Sequence, residues 1–255
     1  MPINYQKEGN IAVFTINRPE VMNALNPEAL QELTVAMIDF RDDPSLRVGI
    51  VTGAGDKSFC TGFDLRGAPT DGNQTELGDR AQATLVRGLE LWKPLIAAIN
   101  GYAFGGGLEI ALACDIRIAA DTAELGLTEV TLGFMPGWGG TQRLPRIIPF
   151  GKAAEMMIMG KRITAHEAFG INLVSQVVPQ KELMATAKEW AGIIGELAPL
   201  AVAGAKEAMI RGYSLTLEEG LQLESIILSR VMDSKDSAEG RRAFMEKRKP
   251  VYKGE

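Results

Sequence analysis

The chain has 255 residues, of which 46% are hydrophobic and 23% charged, so it can fold around a core and is not a mainly disordered protein. Its 27 basic and 32 acidic side chains give a net charge of −5, which argues against nonspecific binding to nucleic acid. Two cysteines and one histidine are too few for a disulfide framework or a four-ligand zinc site, so we expect a metal-free protein in a reducing compartment.

Two features of the sequence bear on location. The apolar stretches are broken by glycine, asparagine or charge well short of the ~20 residues that a membrane-spanning helix needs. The first ten residues lack the basic flank and apolar run of a secretory signal. We therefore expect a cytoplasmic protein that makes no membrane contact.

The first predicted elements are a strand and a helix. Residues 11–16 form an apolar, β-branched run closed by Asn17, Arg18 and Pro19, which predicts a strand that ends in a turn. From Pro27 to about Phe40, apolar residues recur at spacings of three and four, which predicts a helix.

Three more strands and a second helix follow. The strands are predicted at residues 47–55, 94–101 and 115–120, and the helix follows Gly105–Gly107, between the last two strands. Such alternation is typical of an α/β fold in which ligands gather at the strand-to-helix loops.

The second half of the chain is dominated by helical periods. After about residue 140, only residues 175–179 predict a strand. Two helices show apolar faces, and the second face is broad enough to indicate protein on both sides. The first face comprises Leu183, Ala187, Trp190, Ala191 and Ile194, and the second Leu217, Leu221, Leu223, Ile227, Leu228 and Val231. We therefore expect an α/β core at 1–195 and a helical region at 196–255 that packs on the core and on neighbouring subunits.

Two glycine segments in the middle of the chain could present backbone N–H groups to a ligand. Gly62 precedes Phe63 after the second predicted strand, and Gly105–Gly107 open a helix whose first N–H groups have no partner within the helix. Two converging N–H groups would form an oxyanion hole, which stabilises negative charge on a carbonyl oxygen. Composition alone also allows the alternative that both segments are only tight turns.

Two glutamates stand in apolar surroundings. Glu109 follows the three glycines in an otherwise uncharged helix, and Glu129 lies in a segment rich in apolar residues and glycine. Burial would raise the pKa of either carboxyl and suit the pair to acid/base chemistry. The alternative is that Glu109 caps a helix and Glu129 faces solvent. Asp64 and Asp115 are interpreted as structural, with hydrogen bonds at the ends of elements.

The C-terminal residues concentrate basic charge in an otherwise acidic chain. A helix is predicted to start at Asp236, because Glu239 follows three residues later, as in a capping box. The basic side chains that follow are Arg241, Arg242, Lys247, Arg248 and Lys249. This cluster indicates either a phosphate-binding function or a solvated tail.

Four segments, in this order, carry a resemblance to a known family: TGAGDKSFCTGFDL, KPLIAAINGYAFGGGLEIALACDIRIAA, LGLTEVTLGFMPGWGGTQRLPR and AFMEKRKPVYKG. Over essentially its whole length, the sequence resembles the enoyl-CoA hydratase/isomerase (crotonase) superfamily. The resemblance implies a crotonase-like spiral of ββα units with two roughly perpendicular sheets and a C-terminal helical trimerisation region. The implied assembly is a homotrimer or a dimer of trimers.

The resemblance also implies roles for individual residues. Glu109 and Glu129 match the two catalytic glutamates. The N–H groups of Phe63 and Gly106 match the oxyanion hole that binds the thioester carbonyl of an acyl-CoA. No metal or separate cofactor is implied, since coenzyme A is part of the substrate. Asp64, Leu65, Arg66 and Lys247 would contact the CoA portion, and Phe134, Met135 and Trp138 are expected to crowd the acyl end.

The expected activity is that of a hydro-lyase, an enoyl-CoA hydratase acting on short-chain 2-enoyl-CoA. The alternatives are a carnitinyl-CoA dehydratase, which acts on crotonobetainyl-CoA, and an enoyl-CoA isomerase. Trp138 is unusual for either the hydratase or the dehydratase pattern, and the polar loop at Gly67–Ala81 bears on pocket size. Some relatives bind RNA, but the net charge of −5 argues against that role here.

Overall fold

The computed structural model describes residues 1–66 and 84–255. The loop predicted at Gly67–Ala81 therefore lies outside the described residues. Within them lie ten strands and nine α-helices. The strands are β1 (Ile3–Glu8), β2 (Ile11–Ile16), β3 (Val48–Gly53), β4 (Ser58–Cys60), β5 (Leu95–Ile99), β6 (Tyr102–Phe104), β7 (Ile116–Ala120), β8 (Glu124–Gly126), β9 (Arg162–Thr164) and β10 (Gln176–Val178).

The helices are concentrated in the second half. They are α1 (Pro27–Asp42), α2 (Gly106–Ala113), α3 (Gly140–Ile147), α4 (Phe150–Ile158), α5 (Ala165–Gly170), α6 (Leu183–Gly195), α7 (Pro199–Gly212), α8 (Leu217–Met232) and α9 (Lys235–Glu246). Asn26 caps α1, since its side chain accepts the Ala29 N–H, and Pro27 occupies the first helical position.

The strands form two sheets. The larger has the order β1-β2-β3-β5-β7-β10, in which only the β1–β2 pair is antiparallel. The smaller has the order β4-β6-β8-β9, in which β9 runs antiparallel to β8. The short strand β4 follows β3, and β6 follows β5, so the chain passes from the large sheet to the small one twice before α2.

Both faces of the large sheet are buried. Successive strand residues point to opposite faces, so Val48 and Ile50 of β3 pack with Leu183 and Ala187 of α6 on one face. Val51, the next residue, belongs to the cluster on the other face, which includes α1 and the small sheet. These continuous apolar runs are what a parallel sheet covered on both sides requires.

The α/β prediction and the helical C-terminal region are confirmed. The strands predicted at 11–16, 47–55, 94–101 and 115–120 are β2, β3, β5 and β7, and residues 175–179 contain β10. The expectation that this was the only strand after residue 140 is wrong, because β9 pairs with β8 there. A strand of three residues is too short to show a period-two pattern.

The helical region is fastened to the core of the same chain. Lys206 of α7 is buried, and its Nζ lies 2.8 Å from Asp115 Oδ2 and donates to the Lys93 carbonyl at 2.9 Å. Asp115 Oδ2 also accepts the Leu95 N–H at 2.7 Å, which agrees with the structural role predicted for it.

The predicted start of α9 is wrong. Ser234 is the N-cap, and its hydroxyl accepts the Ser237 N–H at 3.0 Å. Asp236 is buried and instead accepts the N–H groups of Lys253 and Gly254, each at 2.7 Å. The carboxylate therefore holds the C-terminal residues against α9 instead of capping the helix. No helix among residues 1–66 and 84–255 is long and apolar enough to cross a bilayer.

Candidate active site

A glycine turn directs the N–H of Phe63 away from its neighbouring segment. The Gly62 carbonyl accepts the Leu25 N–H and the Asp64 N–H donates to the Leu25 carbonyl, each at 2.8 Å. In a trans peptide the C=O and N–H point in opposite directions, so the Phe63 N–H points away from Leu25. Gly62 has a φ of +95°, a value that side chains disfavour.

The same argument applies to Gly106 at the start of α2. The Gly105 carbonyl accepts the Glu109 N–H at 3.0 Å, so the Gly106 N–H, in the same peptide, points out of the helix N-terminus. A Cβ on Gly62 would lie 3.1 Å from the Gly106 nitrogen. The peptides that carry the two N–H groups are therefore adjacent, as an oxyanion hole requires.

Each of the three glycines before Glu109 lacks room for a side chain. Gly105 has a φ of +53°, and a Cβ there would lie 3.2 Å from Glu129 Oε1. A Cβ on Gly106 would lie 2.7 Å from the indole ring of Trp138, and one on Gly107 would lie 1.9 Å from the Cys60 carbonyl oxygen. The segment is thus in direct contact with the second glutamate, with the indole and with β4.

Glu109 is buried on α2 and held by two backbone donors. Its Oε1 accepts the N–H groups of Trp138 and Gly140, each at 2.7 Å. Burial raises the pKa of the Glu109 carboxyl, while these two hydrogen bonds and the charge of Arg143 act in the opposite direction. The carboxylate is therefore fixed in position as well as desolvated.

Glu129 opens a 3₁₀ turn at Glu129–Leu132 and is also buried. Within the described residues, its Oε2 has no hydrogen-bond partner. Burial first, and then the negative charge of Glu109, raise the pKa of Glu129 to about 7. An unpartnered carboxyl oxygen that titrates near neutral pH is suited to giving and taking a proton.

Neither alternative proposed for the two glutamates holds, because Glu109 does not cap a helix and Glu129 does not face solvent. The sequence reasoning missed the donors at Trp138 and Gly140, which lie 29 and 31 residues beyond Glu109. The only local signal for them was the Gly139–Gly140 pair ahead of α3.

The residues expected along CoA differ in their surroundings. Asp64 is nearly buried, and its carboxylate pairs with Arg66 at 2.8 Å and with Arg18 at 3.0 Å. These arginines, Arg66 first, hold the pKa of Asp64 well below its usual range. Leu65 and the Arg66 side chain are exposed. Asp64 thus has the structural role predicted for it and orients Arg66.

Lys247 is exposed and ends α9 with a left-handed φ of +55°. Among the hydrogen bonds and ion pairs of the described residues, none joins it to the glutamates or the glycine segments.

The residues expected around the acyl group lie in one segment after Glu129. Trp138 is half-buried and contacts the site directly. Its ring lies against Gly106 and stands edge-on to Phe63, with ring centroids 6.5 Å apart and an interplanar angle of 90°. Phe134 and Met135 are exposed. Within the described residues, no cluster of three His, Cys, Asp or Glu side chains could hold a metal ion.

Comparisons with known proteins point the same way. The family described as "Enoyl-CoA hydratase/isomerase" matches residues 6–255. The chain is 44% identical to an (E)-benzylidenesuccinyl-CoA hydratase of Thauera aromatica, and the match covers 100% of both chains. It is 43% identical to a carnitinyl-CoA dehydratase of Proteus mirabilis, with 96% of each chain covered. It is also 43% identical to a short-chain-enoyl-CoA hydratase of Clostridium acetobutylicum, with 96% of this chain and 94% of that one covered.

Solved structures agree with the fold. The crystal structure of an enoyl-CoA hydratase from Bacillus anthracis matches with a TM-score of 0.92 and 42% identity, and the match covers 100% of both chains. The crotonase-like fold that the sequence predicts is thereby confirmed.

Proposed function

Because the chain belongs to the enoyl-CoA hydratase/isomerase family and is a hydro-lyase, we propose that it reversibly hydrates short-chain 2-enoyl-CoA thioesters to 3-hydroxyacyl-CoA. The observation that carries the proposal is the contact between Glu129 and Gly105. Gly105 precedes Gly106, whose N–H points outward, and lies at the start of the helix that carries Glu109. This arrangement supplies two carboxylates and an oxyanion hole, which are the groups that hydration of a conjugated thioester needs.

The proposed reaction begins with attack of water on C3. The C2–C3 π bond breaks, a C3–O bond forms, and negative charge moves to the thioester oxygen, where the N–H groups of Phe63 and Gly106 stabilise it. One donor of this kind is typically worth about 3 kcal/mol in the transition state. Glu109, fixed by two N–H donors, holds the water together with Glu129 and accepts the water proton as the C3–O bond forms, while protonated Glu129 gives its proton to C2. Transfer of the proton from Glu109 to Glu129 then restores the starting state.

Trp138 supports the short-chain specificity. Its ring lies against Gly106 and edge-on to Phe63, so it limits the space beside the proposed oxyanion hole. A cavity bordered by Trp138, Leu85 and Ile110 is small, with room for about one water molecule. We include Phe134 and Met135 in the same acyl pocket, as the sequence predicts.

A second candidate is dehydration of carnitinyl-CoA to crotonobetainyl-CoA. The 43% identity to a carnitinyl-CoA dehydratase supports it, as do the aromatic rings of Phe63 and Trp138 beside the site, since aromatic rings attract quaternary ammonium groups. Isomerisation of an enoyl-CoA is less well supported, because one main acid/base group suffices for it and the site contains two buried carboxylates.

The proposal extends to assembly and location. Residues 196–255 would form the trimer contact and, through Lys247, contact the CoA phosphates, with Asp64, Leu65 and Arg66 flanking the CoA tail. Exposed apolar side chains on α7, α8 and α9 support the contact; they include Met209, Ile210, Leu217, Ile226, Phe244 and Met245. The proposed assembly is a homotrimer or a dimer of trimers. The proposed location is the cytoplasm, with which the two buried free cysteines are consistent.

The test is a substrate panel followed by the absorbance of the enoyl thioester. Crotonyl-CoA, longer 2-enoyl-CoAs, crotonobetainyl-CoA and (E)-benzylidenesuccinyl-CoA are compared at equal enzyme concentration. We expect the highest kcat/KM for crotonyl-CoA. A preference for crotonobetainyl-CoA would support the second candidate, and turnover of none of the four would refute hydration.

The two glutamates are tested with matched amide variants. Glu109→Gln and Glu129→Gln should each lower kcat by about 10²–10⁴-fold, because an amide cannot exchange the proton. The control is Glu189→Gln, on the exposed side of α6. Exchange of solvent deuterium at C2 should fall most in Glu129→Gln. Near wild-type turnover in either active-site variant would contradict the two-carboxylate mechanism.

A further inference from the structure

Two peptide groups donate to Glu109, and their carbonyl ends are also held. The Gly137–Trp138 peptide donates its N–H to Glu109 Oε1 at 2.7 Å, and its carbonyl oxygen accepts from Arg87 Nη2 at 3.1 Å. In the Gly139–Gly140 peptide the N–H faces the same oxygen, and the carbonyl accepts two backbone N–H groups at the start of α3. Hydrogen bonds at both ends polarise a peptide and strengthen each other.

A second arginine joins the loop at residues 137–140 to the segment at residues 84–87, which contains Arg87. Arg143 of α3 donates from Nη1 to the Trp138 carbonyl at 3.0 Å and from Nη2 to the Val86 carbonyl at 2.8 Å. Its guanidinium passes over Gly139, where a Cβ would lie 2.1 Å from Nη1. Arg87 extends from the segment at residues 84–87 to the Gly137 carbonyl, and Arg143 donates to carbonyls of both segments. We call these two side chains the arginine clasp.

The segment that the clasp grips is a closed turn. The Thr84 N–H donates to the Arg87 carbonyl at 2.7 Å, and the Arg87 N–H donates to the Thr84 carbonyl at 3.0 Å. The turn contributes two groups to the contact with the loop, the Val86 carbonyl and the Arg87 side chain. Both therefore belong to a turn that is closed by its own hydrogen bonds. The loop is thus held against a defined surface.

The charge of Arg143 is buried without an ion-pair partner among the described residues, which is unusual for an arginine with a purely structural role. The guanidinium is largely removed from solvent, and in the part of the chain that the structure describes no carboxylate lies within 4 Å of it. Burial lowers the pKa of Arg143, as does the like charge of Arg87, whereas the negative charge of Glu109 opposes that change. Glu109 in turn faces the charges of Arg143 and Glu129. A desolvated charge is costly without compensation. The charge of Arg143 acts on Glu109, a nearby carboxylate, and lowers its pKa.

We propose that Arg143 and Arg87 are positioning residues for Glu109: the clasp fixes the loop at residues 137–140, so that two N–H groups and one positive charge face the carboxylate. The inference rests on the proposed hydration function for its kinetic consequences alone. Neither arginine is expected to touch substrate.

The experiment compares Arg143→Met, Arg143→Lys and Arg87→Met with the control Arg146→Met. Arg146 lies one turn further along α3, is exposed, and donates only to Gln142 among the described residues. The first readout is kcat and KM with crotonyl-CoA, measured as a function of pH. The second is a carbon-13 NMR titration of the Glu109 carboxyl, assigned by comparison with Glu109→Gln, which does not depend on turnover.

Arg143→Met should lower kcat by about tenfold to a hundredfold with KM within about twofold, as displacement of a catalytic group does. It should also raise the pKa of Glu109 further, since a positive charge has been removed. Arg143→Lys keeps the charge but cannot bridge both carbonyls, so kcat should fall while the Glu109 pKa stays near that of the wild type. Arg87→Met, on the exposed side, should show a smaller loss of kcat.

The outcomes separate this proposal from the proposed function. If the wild type hydrates no thioester, the hydration proposal fails, and the NMR titration still decides whether the clasp acts on Glu109. If Arg143→Met matches Arg146→Met in both readouts, the positioning role is refuted. If Arg143→Met does not fold, Arg143→Lys and Arg87→Met decide, and wild-type behaviour of both would overturn the proposal.

Discussion

The carboxyl of Glu129, whose Oε2 has no hydrogen-bond partner among residues 1–66 and 84–255, predicts a specific dependence of stability on pH. The pKa of this carboxyl is about 7 in the folded protein, against 4.5 for an ordinary glutamate in the unfolded chain. Because the folded state holds the proton more tightly, the contribution to the free energy of unfolding is fully present below pH 4.5. It is lost as the pH rises through 7. Glu129→Gln removes this dependence.

The size of the effect follows from the shift. Each pKa unit corresponds to about 1.4 kcal/mol, so a fully desolvated carboxyl would cost the wild type about 2–3 kcal/mol between pH 5 and pH 8. Water that enters a site open to substrate screens the charge and reduces this to about 1–2 kcal/mol. Relative to the wild type, Glu129→Gln should therefore gain about 1–2 kcal/mol of unfolding free energy over that pH interval.

The assay is urea unfolding at pH 5 and pH 8 at one protein concentration, since the proposed assembly would make stability depend on concentration. Glu189→Gln, an exposed glutamate on α6, is the control and should follow the wild type at both pH values. If Glu129→Gln and the wild type lose equal stability between pH 5 and pH 8, Glu129 is not the desolvated, unpartnered carboxyl described above.

Three further perturbations test the site. Gly105→Ala should lower kcat by about a hundredfold or more, because φ is +53° there and the new Cβ would lie 3.2 Å from Glu129 Oε1. The matched control is Gly151→Ala, where a Cβ meets nothing within 4 Å. Trp138→Ala should raise kcat/KM for longer 2-enoyl-CoAs relative to crotonyl-CoA by about tenfold, because it removes the ring beside the proposed oxyanion hole. Lys247→Asn, which suits the left-handed backbone at φ +55°, should raise KM for acyl-CoA more at low salt than at high salt and leave kcat unchanged.

Each of these predictions has an opposing result. Equal activity of the two glycine variants would remove Gly105 from the site. An unchanged chain-length profile in Trp138→Ala would place the indole outside the acyl pocket. For Lys247→Asn the comparison is a pantetheine thioester, which lacks the nucleotide phosphates. An equal rise in KM for that substrate would mean that Lys247 is structural and does not bind CoA.

The local pattern predicted five of the six strands of the large sheet; it missed β1, whose residues are mostly polar and not buried, and it missed the small sheet. β3 and β5 are continuous apolar runs bounded by turn residues, a pattern that needs no knowledge of their partners. The strands β4, β6, β8 and β9 have three residues each, and pairing between distant segments, not local pattern, makes them strands.

The site was predictable to a similar degree. A lone carboxylate among apolar residues marked both Glu109 and Glu129 as unusual. What holds Glu109, however, are N–H groups about thirty residues later, which no local signal connects to it. Arg143 shows the same limit, because its role depends on the carbonyls of Trp138 and Val86. For Asp236 a local signal was present and led to a wrong prediction. Its spacing to Glu239 predicts a helix cap, but its carboxylate instead accepts N–H groups of the C-terminal residues.

The packing around the three adjacent glycines has an evolutionary consequence. Gly107 faces the Cys60 backbone carbonyl, which is present whatever residue stands at position 60, so no substitution elsewhere makes room for a side chain. Gly105 is confined by its backbone conformation. Gly106 faces the indole of Trp138, so a lineage that first exchanges the tryptophan for a smaller residue becomes free to accept alanine at position 106. Positions 106 and 138 should therefore covary among descendants, while positions 105 and 107 stay fixed.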